Sequence, residues 1–465
     1  MRLLTACFLT LLACPFLAGA AASASAPPSD HPAATVDRLF EEALSHGKAY
    51  GQLEELVSKY PGRLTGTVSL AGAVEWSQQK LAELGLDRIY TQSVTVPHWD
   101  RGEPESVRLL TNEDAEPLSA VALGFSGATP AGGLVAPVIE VQSLDELATL
   151  GREKIEGRIV FFNRPMNPAY FQTGKAYGEA GDQRGRGPAA AAKLGAVAAI
   201  VRSLTLADDD VPHTGYTGFG PDITPIPAAA LSTRAADRLS AALRANSDSR
   251  VEVKIHARRL ADTESHNVIG EIRGSEFPDR IMVVGGHLDS WDIAPGAHDD
   301  GAGVVQSIEV LRLFKALGLR PRHTLRCVLF TAEENSLAGG IAYAAEAKEK
   351  GERHVLALES DGGGYAPAAF YLGSTQGPMH QRAQRWLPLF QAWGIWKIAE
   401  GPTGADVAPL LMQGVTVGQI VPDSQRYFDI HHTREDTIDK VNARELHLGA
   451  AALAAMVWLV DREGF

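Results

Sequence analysis

The pattern of apolar positions after residue 265 alternates between stretches of strand length and stretches with helical spacing. Buried strands separated by helices are typical of a mostly parallel sheet covered by helices on both faces. We therefore predict an α/β fold, a three-layer sandwich on a mostly parallel mixed sheet. The predicted strands are 266–272, 280–286, 323–330, 354–359 and 415–420, and the predicted helices are 301–317, 336–350, 377–393 and 443–461.

The chain before residue 113 begins with helical spacing and continues with strand-like alternation. Helical patterns cover 35–62 and 67–84, and apolar and polar residues alternate over 88–96 and 107–110. Helical patterns of this length and short alternating runs are the main signals of helices and half-buried strands. We predict two helices followed by two strands in this region.

Between residues 113 and 260 the chain changes to short strands separated by turns rich in Gly, Pro and Asp. Here we predict a helix over 228–243 and a polar surface loop over 204–227. The short elements indicate a compact domain inserted into another one. We accordingly divide the chain into a main domain, 35–112 and 261–465, and an inserted domain, 113–260.

The first residues have the pattern of a secretory signal peptide. Arg2 supplies the basic start, residues 3–17 are apolar, and Ala18-Gly19-Ala20 offers a small-residue cleavage site. We assign residues 1–20 to a signal peptide and the Ala, Ser and Pro rich residues 21–34 to a flexible leader. The prediction is an exported protein, periplasmic or secreted.

The three cysteines bear on the same question. Cys14 allows the alternative of a lipoprotein anchor, which Pro15 and the early position make less favourable. Removal of the signal peptide leaves Cys327 alone, so the mature chain cannot form an internal disulfide. We interpret Cys327 as a small buried hydrophobic residue in a strand.

Length and charge narrow the class of protein. A chain of 465 residues is long for one ordinary domain. The net charge of −13 and the pI of about 5.6 argue against binding to nucleic acid or to anionic membrane surfaces. No stretch after the signal reaches about 18 consecutive apolar residues, so we expect no membrane-spanning helix.

Potential metal ligands follow several predicted strand ends, where ligands bind in open α/β sheets. Taken singly, such residues more often cap helices or face solvent. Together, imidazoles and carboxylates suit zinc, and a pair of divalent ions about 3.5–4 Å apart would remove the repulsion among clustered carboxylates. The candidates are His287, Asp299, Glu333, Glu334, Asp361, His431 and His432.

The order of the motifs that carry these residues resembles the co-catalytic zinc aminopeptidase and carboxypeptidase family. The motifs are HLDSWD, PGAHDDGAG, TAEE, ESDGGG and HHTREDT. The resemblance implies a phosphorylase/hydrolase-like fold with two zinc ions per chain, and it places a protease-associated domain at 113–260. Members of the family are often homodimers, so a homodimer is expected.

The resemblance also implies a role for each matched residue. Asp299 would bridge the two zinc ions, and Glu333 would act as general base and acid. Asp289 would hold the imidazole of His287, as metal-bound histidines usually require. The Asp299–Asp300 peptide is cis in members of the family. The ligands of one ion would be His287 and Asp361, and those of the other Glu334 and His432.

Four further residues carry weaker expectations. The family spacing fits His432 as the ligand, so His431 would lie near substrate. His298 would touch substrate or face solvent, and solvent is the favoured interpretation. Gly404 and Asp406 resemble a loop that lines the substrate pocket in the family, where Asp406 would meet an amino group; the alternative is an Asp that caps the following helix.

The function implied is a metallo-exopeptidase that cleaves dipeptides or short peptides with free termini, using zinc-activated hydroxide. The sequence leaves open whether the amino or the carboxyl end is recognised. One alternative is a single-zinc glutaminyl cyclase, which has a similar fold but lacks the full ligand set. Another is a catalytically inactive peptide-binding module on the same scaffold.

Overall fold

The computed structural model describes residues 32–111 and 114–465. The predicted signal peptide, with Cys14, lies outside the described residues. Residues 21–31 of the predicted leader 21–34 also lie outside the described residues, whereas residues 32–34 are described. The first helix begins at Pro32, so residues 32–34 are helical rather than part of a flexible leader.

A mixed sheet of eight strands, here called the main sheet, forms the centre of the molecule. Its four middle strands pair in parallel, whereas the strands at one edge pair antiparallel. This confirms the prediction of an α/β fold on a mixed sheet. In spatial order the strands are Arg88–Val96, Thr263–Ile272, His323–Phe330, Phe277–His287, Arg353–Glu359, Thr416–Pro422, Pro367–Gly373 and Lys397–Ala399.

Helices cover both faces of the main sheet because apolar residues of its strands point to both sides. One face contributes Val284, Leu325 and Leu358 to a core with five long helices. The other face packs Val283 and Val328 against two helices, Ala338–Glu349 and Ala408–Leu411. The five helices of the first face are Pro32–His46, Ala49–Lys59, Val68–Glu83, Ala302–Ala316 and Ala443–Glu463.

The last of these helices, Ala443–Glu463, is the one candidate membrane span within the described residues. Its apolar window is 72% buried inside the protein. Ala451, Leu453 and Val457 have no exposed surface and belong to the same core as the first helix of the chain. It is therefore packed as a core helix.

A second eight-stranded sheet, with its helices, is here called the inserted unit. In the chain it lies between Arg88–Val96 and Thr263–Ile272, two strands that are paired neighbours in the main sheet. Its first long strand, Ser106–Leu110, pairs with Arg250–Lys254. The predicted boundary at residue 113 is thus too late. In order the strands are Ala115–Leu118, Ser106–Leu110, Arg250–Lys254, Leu134–Val141, Ile159–Phe162, Ala198–Arg202, Ala228–Leu231 and Ala120–Ala122.

Both faces of the second sheet are also covered. The helix Thr233–Ala245 packs on one face, and Leu144–Ile155 and Gly187–Lys193 pack on the other. The short helices Thr173–Ala180 and Asp182–Gly185 belong to the same unit. A two-stranded ribbon joins the units; its strands are Trp99–Asp100 and Arg258–Arg259.

Three predicted elements are wrong in detail. Residues 228–243 form a strand, Ala228–Leu231, followed by a helix that Ser232 caps through its side chain. The four apolar residues before Ser232 carry no signal that separates a buried strand from a helix. The predicted helices 35–62 and 377–393 are each broken, the latter into Met379–Ala383, Gln384–Trp386 and Leu387–Gln391.

The remaining short elements surround one end of the main sheet. Two of them, Ala297–Gly301 and Glu333–Ser336, carry candidate site residues, and two others, Tyr427–Ile430 and Ile438–Lys440, flank the segment that contains His431 and His432. The loop 204–227 is also different from the prediction. It is not wholly at the surface, because His213 and Thr214 are buried. Cys327 is fully buried, as predicted.

Candidate active site

The predicted ligands gather at the carboxyl ends of the middle strands. His287 is the last residue of its strand, and Asp361 lies two residues beyond the end of the neighbouring strand, Arg353–Glu359. Parallel neighbours end at the same edge of a sheet, so these side chains meet without help from loops. His432, by contrast, lies on a loop after the helix Tyr427–Ile430.

Asp299 lies between two clusters of candidate ligands. Its Oδ1 is 3.3 Å from Nε2 of His287, which in turn is 3.6 Å from Oδ1 of Asp361. Its Oδ2 is 3.2 Å from Nε2 of His432, which is 3.1 Å from Oε2 of Glu334. The two oxygens of one carboxylate therefore face two separate sets of nitrogen and oxygen atoms. We call these the His287 cluster and the His432 cluster.

The two clusters fit metal ions on their own chemistry. Oδ2 of Asp299 and Oε1 of Glu334 are buried and accept no hydrogen bond from the described residues. Burial and, after it, the charge of the nearby Asp299 carboxylate raise the pKa of Glu334 to about 7. Buried carboxylates with free oxygen atoms beside imidazoles are the setting that divalent zinc stabilises.

The turn that carries Asp299 is fixed by two other carboxylates. Asp436 accepts hydrogen bonds from the backbone N–H groups of His298 and Asp299, at 2.7 and 3.0 Å. Asp300 accepts from the N–H groups of His287 and Gly303, at 3.0 and 2.9 Å. The Asp299–Asp300 peptide is cis. Asp300 and Asp436 thus hold the turn against the end of the neighbouring strand.

Asp289 supports the site, but not in the expected way. Nδ1 of His287 lies 3.0 Å from the backbone carbonyl oxygen of Asp289 and 3.8 Å from its carboxylate. The carboxylate instead accepts the backbone N–H groups of Glu333 and Glu334, at 3.1 and 3.2 Å. The residue fixes the imidazole with its main chain and the glutamate turn with its side chain.

Glu333 faces the cavity beside both clusters. It begins a short helix after Ala332, whose φ of 63° turns the chain sharply away from the strand. Burial raises the pKa of Glu333 well above its ordinary value, and the charges of Asp361 and Glu334 add to the effect. A carboxyl group in such a place favours its protonated form more than usual, which suits a group that receives and returns a proton.

The cavity in front of the clusters has a volume of about 560 Å³. Aromatic residues after the strand Thr416–Pro422 form one wall, and three residues of the inserted unit form another. Those three, Tyr177, Arg184 and Tyr216, have no distinguishing motif, and nothing in the sequence singled them out. The lining consists of Tyr177, Arg184, Tyr216, Asp299, Glu333, Glu334, Asn335, Ser336, Leu337, Asp361, Tyr427, Phe428, His431 and His432.

Two neighbouring histidines, His431 and His432, both approach Asp299. The ring of His431 stacks on that of His432 at 3.6 Å, and its Nε2 is 3.4 Å from Oδ2 of Asp299. His431 also lines the cavity, where a substrate contact was expected. His432 differs because its Nε2 faces Glu334 as well.

His298 is not exposed to solvent, contrary to the favoured interpretation. Its side chain is buried, stacks on Tyr365 at 4.3 Å, and accepts the N–H of Gly364 at Nδ1. Burial lowers the pKa of His298 to about 4, so the ring is neutral. It acts as a packed support under the site.

Gly404 and Asp406 lie behind the site and outside the cavity lining, against expectation. The Asp406 side chain is buried, and its Oδ1 accepts the N–H of Gly340. A Cβ at Gly404 would lie 2.3 Å from Cβ of Glu359, so glycine is needed for packing. Neither the expected substrate contact nor the alternative of a helix cap describes Asp406, since the following helix has no side-chain cap.

Comparison with known proteins agrees with the motifs. The model of peptidase family M28 matches residues 267–457. Carboxypeptidase Q of Bos taurus is 33% identical over 429 residues, which cover 92% of this chain and 88% of that protein. Carboxypeptidase Q of Homo sapiens is 32% identical over 417 residues, covering 90% and 86%. Within the family, the motifs of this chain resemble those of carboxypeptidase Q, also called plasma glutamate carboxypeptidase. The matches confirm that resemblance.

Solved structures give the same result. A crystal structure of a peptidase M28 precursor from Shewanella amazonensis has a TM-score of 0.88 and 34% identity, covering 93% of this chain and 97% of that chain. A zinc aminopeptidase from Bacillus subtilis, 19% identical, has a TM-score of 0.64 over 88% and 94% of the two chains, which shows the common fold. The chain belongs to peptidase family M28 and is a metallo-exopeptidase.

Proposed function

We propose that this protein is a di-zinc exopeptidase that hydrolyses dipeptides or short peptides with free termini. One observation carries the proposal: the two oxygens of Asp299 face two different ligand clusters, at 3.3 Å from His287 and 3.2 Å from His432. A carboxylate that faces one cluster alone would support a single ion. The arrangement thus favours a dinuclear site over the one ion of a glutaminyl cyclase.

The residues that would hold the two ions are those of the His287 and His432 clusters. His287 and Asp361 would bind one ion, and Glu334 and His432 the other, with Asp299 between them. Bound zinc polarises a carbonyl group and lowers the pKa of water to near neutrality. His431 stays a candidate for contact with substrate, because it lines the cavity beside Asp299.

Glu333 would move the proton in this reaction. Its carboxyl group lies beside the clusters but forms an ion pair with neither His287 nor His432. Its raised pKa favours uptake of a proton from the attacking water. The same carboxyl group would then donate the proton to the leaving amine. Asp289 would keep Glu333 in place through the backbone hydrogen bond at 3.1 Å.

The inserted unit would correspond to the protease-associated domain of the family, and the predicted signal peptide would export the chain. The assignment of the protease-associated domain rests on the position of the inserted unit in the chain, at 106–254, between two strands of the main sheet. The cavity of about 560 Å³ lies within the range of small-ligand sites and suits a short peptide.

The test combines zinc content with a panel of dipeptides. Purified protein is equilibrated with zinc, its content is measured, and hydrolysis is followed for free, amino-blocked and carboxyl-blocked dipeptides. We expect two zinc ions per chain and hydrolysis that fails when one terminus is blocked; the blocked end that abolishes cleavage identifies the end recognised. One tightly held ion per chain would favour the cyclase instead. Two ions without hydrolysis of any peptide would indicate an inactive binding module.

A further inference from the structure

We infer that residues 213–215 of the inserted unit complete the His432 cluster, and that His213 is a positioning residue for the second metal ion. The inference rests on the proposed di-zinc function and adds to it. It assigns the inserted unit a part in metal binding, beyond forming one wall of the cavity.

The main chain of Thr214 contacts His432 from two sides. Its N–H donates to the carbonyl oxygen of His432 at 2.9 Å. Its carbonyl oxygen lies 3.3 Å from Nδ1 of the His432 ring. Since Nε2 faces Asp299 and Glu334, Nδ1 carries the proton and donates it to this carbonyl group. Thr214 thereby fixes both the backbone and the tautomer of His432.

Arg184 contacts the same carbonyl group. Its Nη1 lies 3.3 Å from the Thr214 carbonyl oxygen and 3.5 Å from Nδ1 of His432. A guanidinium only donates hydrogen bonds, so Arg184 makes none to the ring when Nδ1 carries a proton. The Thr214 carbonyl oxygen, with two lone pairs, accepts from both. Arg184 and His432 are thus held by the same atom of the inserted unit.

His213 contacts the residue before the ligand. Its Nδ1 lies 2.7 Å from the carbonyl oxygen of His431, the shortest of the contacts between this segment and the two histidines. Burial lowers the pKa of His213 to about 3, so the ring is neutral and Nδ1–H is the donor. The backbone N–H of His213 donates to Ser203 Oγ at 2.9 Å, which ties the segment to the second sheet.

The backbone of His432 explains why such support is needed. Its φ is 61°, in the left-handed region that residues with a Cβ rarely occupy. Strained backbone conformations persist where the surroundings over-determine them. The backbone carbonyl groups of His431 and His432, one on each side of the His432 Cα, are held by neighbouring residues of the inserted unit, His213 and Thr214. The inserted unit therefore supplies the restraint that aims His432 at Asp299.

The decisive experiment replaces His213 with two residues of nearly equal size. Asn places an amide N–H close to the position of Nδ1, whereas Leu has the same shape without a donor. Zinc-free His213→Leu, His213→Asn and wild-type proteins are titrated with zinc, and the two binding steps are measured by calorimetry. For His213→Leu we expect one binding step, that of the His432 cluster, to lose about 10- to 100-fold in affinity, the usual effect of removing a group that orients a ligand. The other step should be unchanged.

His213→Asn should bind both ions within about threefold of wild type, because the donor is retained. A His213→Leu protein that binds both ions like wild type would overturn the inference. Equal loss in the Leu and Asn variants would also overturn it, because ring shape rather than the hydrogen bond would then matter. If His213→Leu does not fold, His213→Gln, with its donor one atom farther out, takes its place with the same expectation. Wild-type protein that binds fewer than two ions would instead reject the proposed function.

Discussion

The two candidate metal clusters share Asp299, yet they are held by different parts of the protein. In the His287 cluster, the histidine ends a middle strand and its Nδ1 lies 3.0 Å from the carbonyl oxygen of Asp289, two residues away. In the His432 cluster, the histidine lies on a loop and its Nδ1 is 3.3 Å from the carbonyl oxygen of Thr214, 218 residues away. One cluster is local to the main sheet, and the other depends on the inserted unit.

The two histidines are therefore oriented by different means. His287 pairs with Phe330 of one neighbouring strand and lies two residues beyond the last pair with the other, Gly285 and Glu359, so its direction needs little further support. A residue on a loop has no ladder, and a left-handed backbone such as that of His432 adds strain. Contacts from a second folded unit replace the ladder.

The largest effect is expected at Glu333, which serves both clusters. Glu333→Gln keeps the size of the side chain but removes its ability to take up and return a proton. General acid–base catalysis contributes about 10²- to 10⁴-fold, so kcat/KM should fall by roughly 10³-fold. Zinc content should stay at the wild-type value, because Glu333 is not among the expected ligands. Peptide hydrolysis assays and metal analysis on the same sample give both numbers.

Glu349→Gln is the matched control for this change. Glu349 lies exposed on the helix Ala338–Glu349, so activity and zinc content should both stay unchanged. If Glu333→Gln retained activity within about tenfold of wild type, another group would have to carry the proton.

The next effect is on stability and concerns the side of the main sheet. The buried Arg63 donates to the carbonyl oxygens of Leu288, Pro295 and Gly296, at 2.7, 2.5 and 3.0 Å. These carbonyl groups belong to the loop between His287 and Asp299. Arg63→Met would leave them unpaired, and we expect a loss of about 3 kcal/mol in the free energy of unfolding. Denaturant unfolding of zinc-free protein measures it.

Arg320→Met serves as the control, since Arg320 is exposed and its substitution should change stability by less than about 0.5 kcal/mol. Arg63→Met should also weaken the zinc-binding step that His213→Leu leaves unchanged. Loss confined to the step that His213→Leu weakens would contradict the division of the site into a sheet side and an inserted-unit side.

The same division marks what sequence alone reveals. The strands 88–96 and 323–330 have the predicted bounds, because strong apolar alternation and buried runs dominate there. His287, Asp299, Glu334 and Asp361 meet as expected because parallel strands bring their ends together. These inferences depend on local patterns and on one rule of sheet topology.

The contacts between the units left no such trace in the sequence. His213 and Thr214 sit in a polar, glycine-rich stretch that is typical of a surface loop, and their partners lie 218 residues later. Burial of that stretch depends on how two folded units pack, which no local periodicity encodes. The expectation for Asp406 failed for a related reason: its position behind the site follows from packing against Gly340 within the main unit, which no local pattern encodes either.

A smaller effect is expected from Gly215, which tests the inserted-unit side through its backbone. The φ of Gly215 is 141°, and a Cβ there would lie 2.5 Å from Cζ of Arg184. Gly215→Ala would push the guanidinium away from the Thr214 carbonyl group. We expect the zinc-binding step that His213→Leu weakens to lose about tenfold in affinity while the other step is retained. Calorimetric zinc titration measures both steps.

Gly220→Ala is the control for backbone strain. Gly220 also has a positive φ, 70°, but a Cβ there would meet nothing within 4 Å. Both substitutions strain the backbone, whereas only Gly215→Ala displaces Arg184. Equal zinc affinities in the two variants would mean that the position of Arg184 does not matter to His432.

The smallest effect concerns acid and the main sheet alone. His354 is the second residue of the strand Arg353–Glu359, at the opposite end from Asp361, and its Nε2 lies 2.7 Å from the hydroxyl oxygen of Tyr343. Burial lowers the pKa of His354 to about 4, against an ordinary value of 6.5. Between these values the unfolded chain binds a proton that the folded chain does not. The stabilising contribution of the neutral ring is therefore complete above pH 6.5 and is lost as the pH falls towards 4.

From pH 7 to pH 5.5, His354 alone should lower the free energy of unfolding by about 1 kcal/mol. Denaturant unfolding of zinc-free wild-type and His354→Gln proteins at the two pH values isolates this contribution, because the other titrating groups are common to both. The variant should lose about 1 kcal/mol less than wild type over that interval. If the two proteins lost stability equally, the acid sensitivity of the apo-protein would have to come from elsewhere. Two other buried histidines have pKa values that burial lowers: His213, between the units, to about 3, and His298, beside the two clusters, to about 4. That outcome would move the acid sensitivity from the far end of the main sheet to the surroundings of the two clusters.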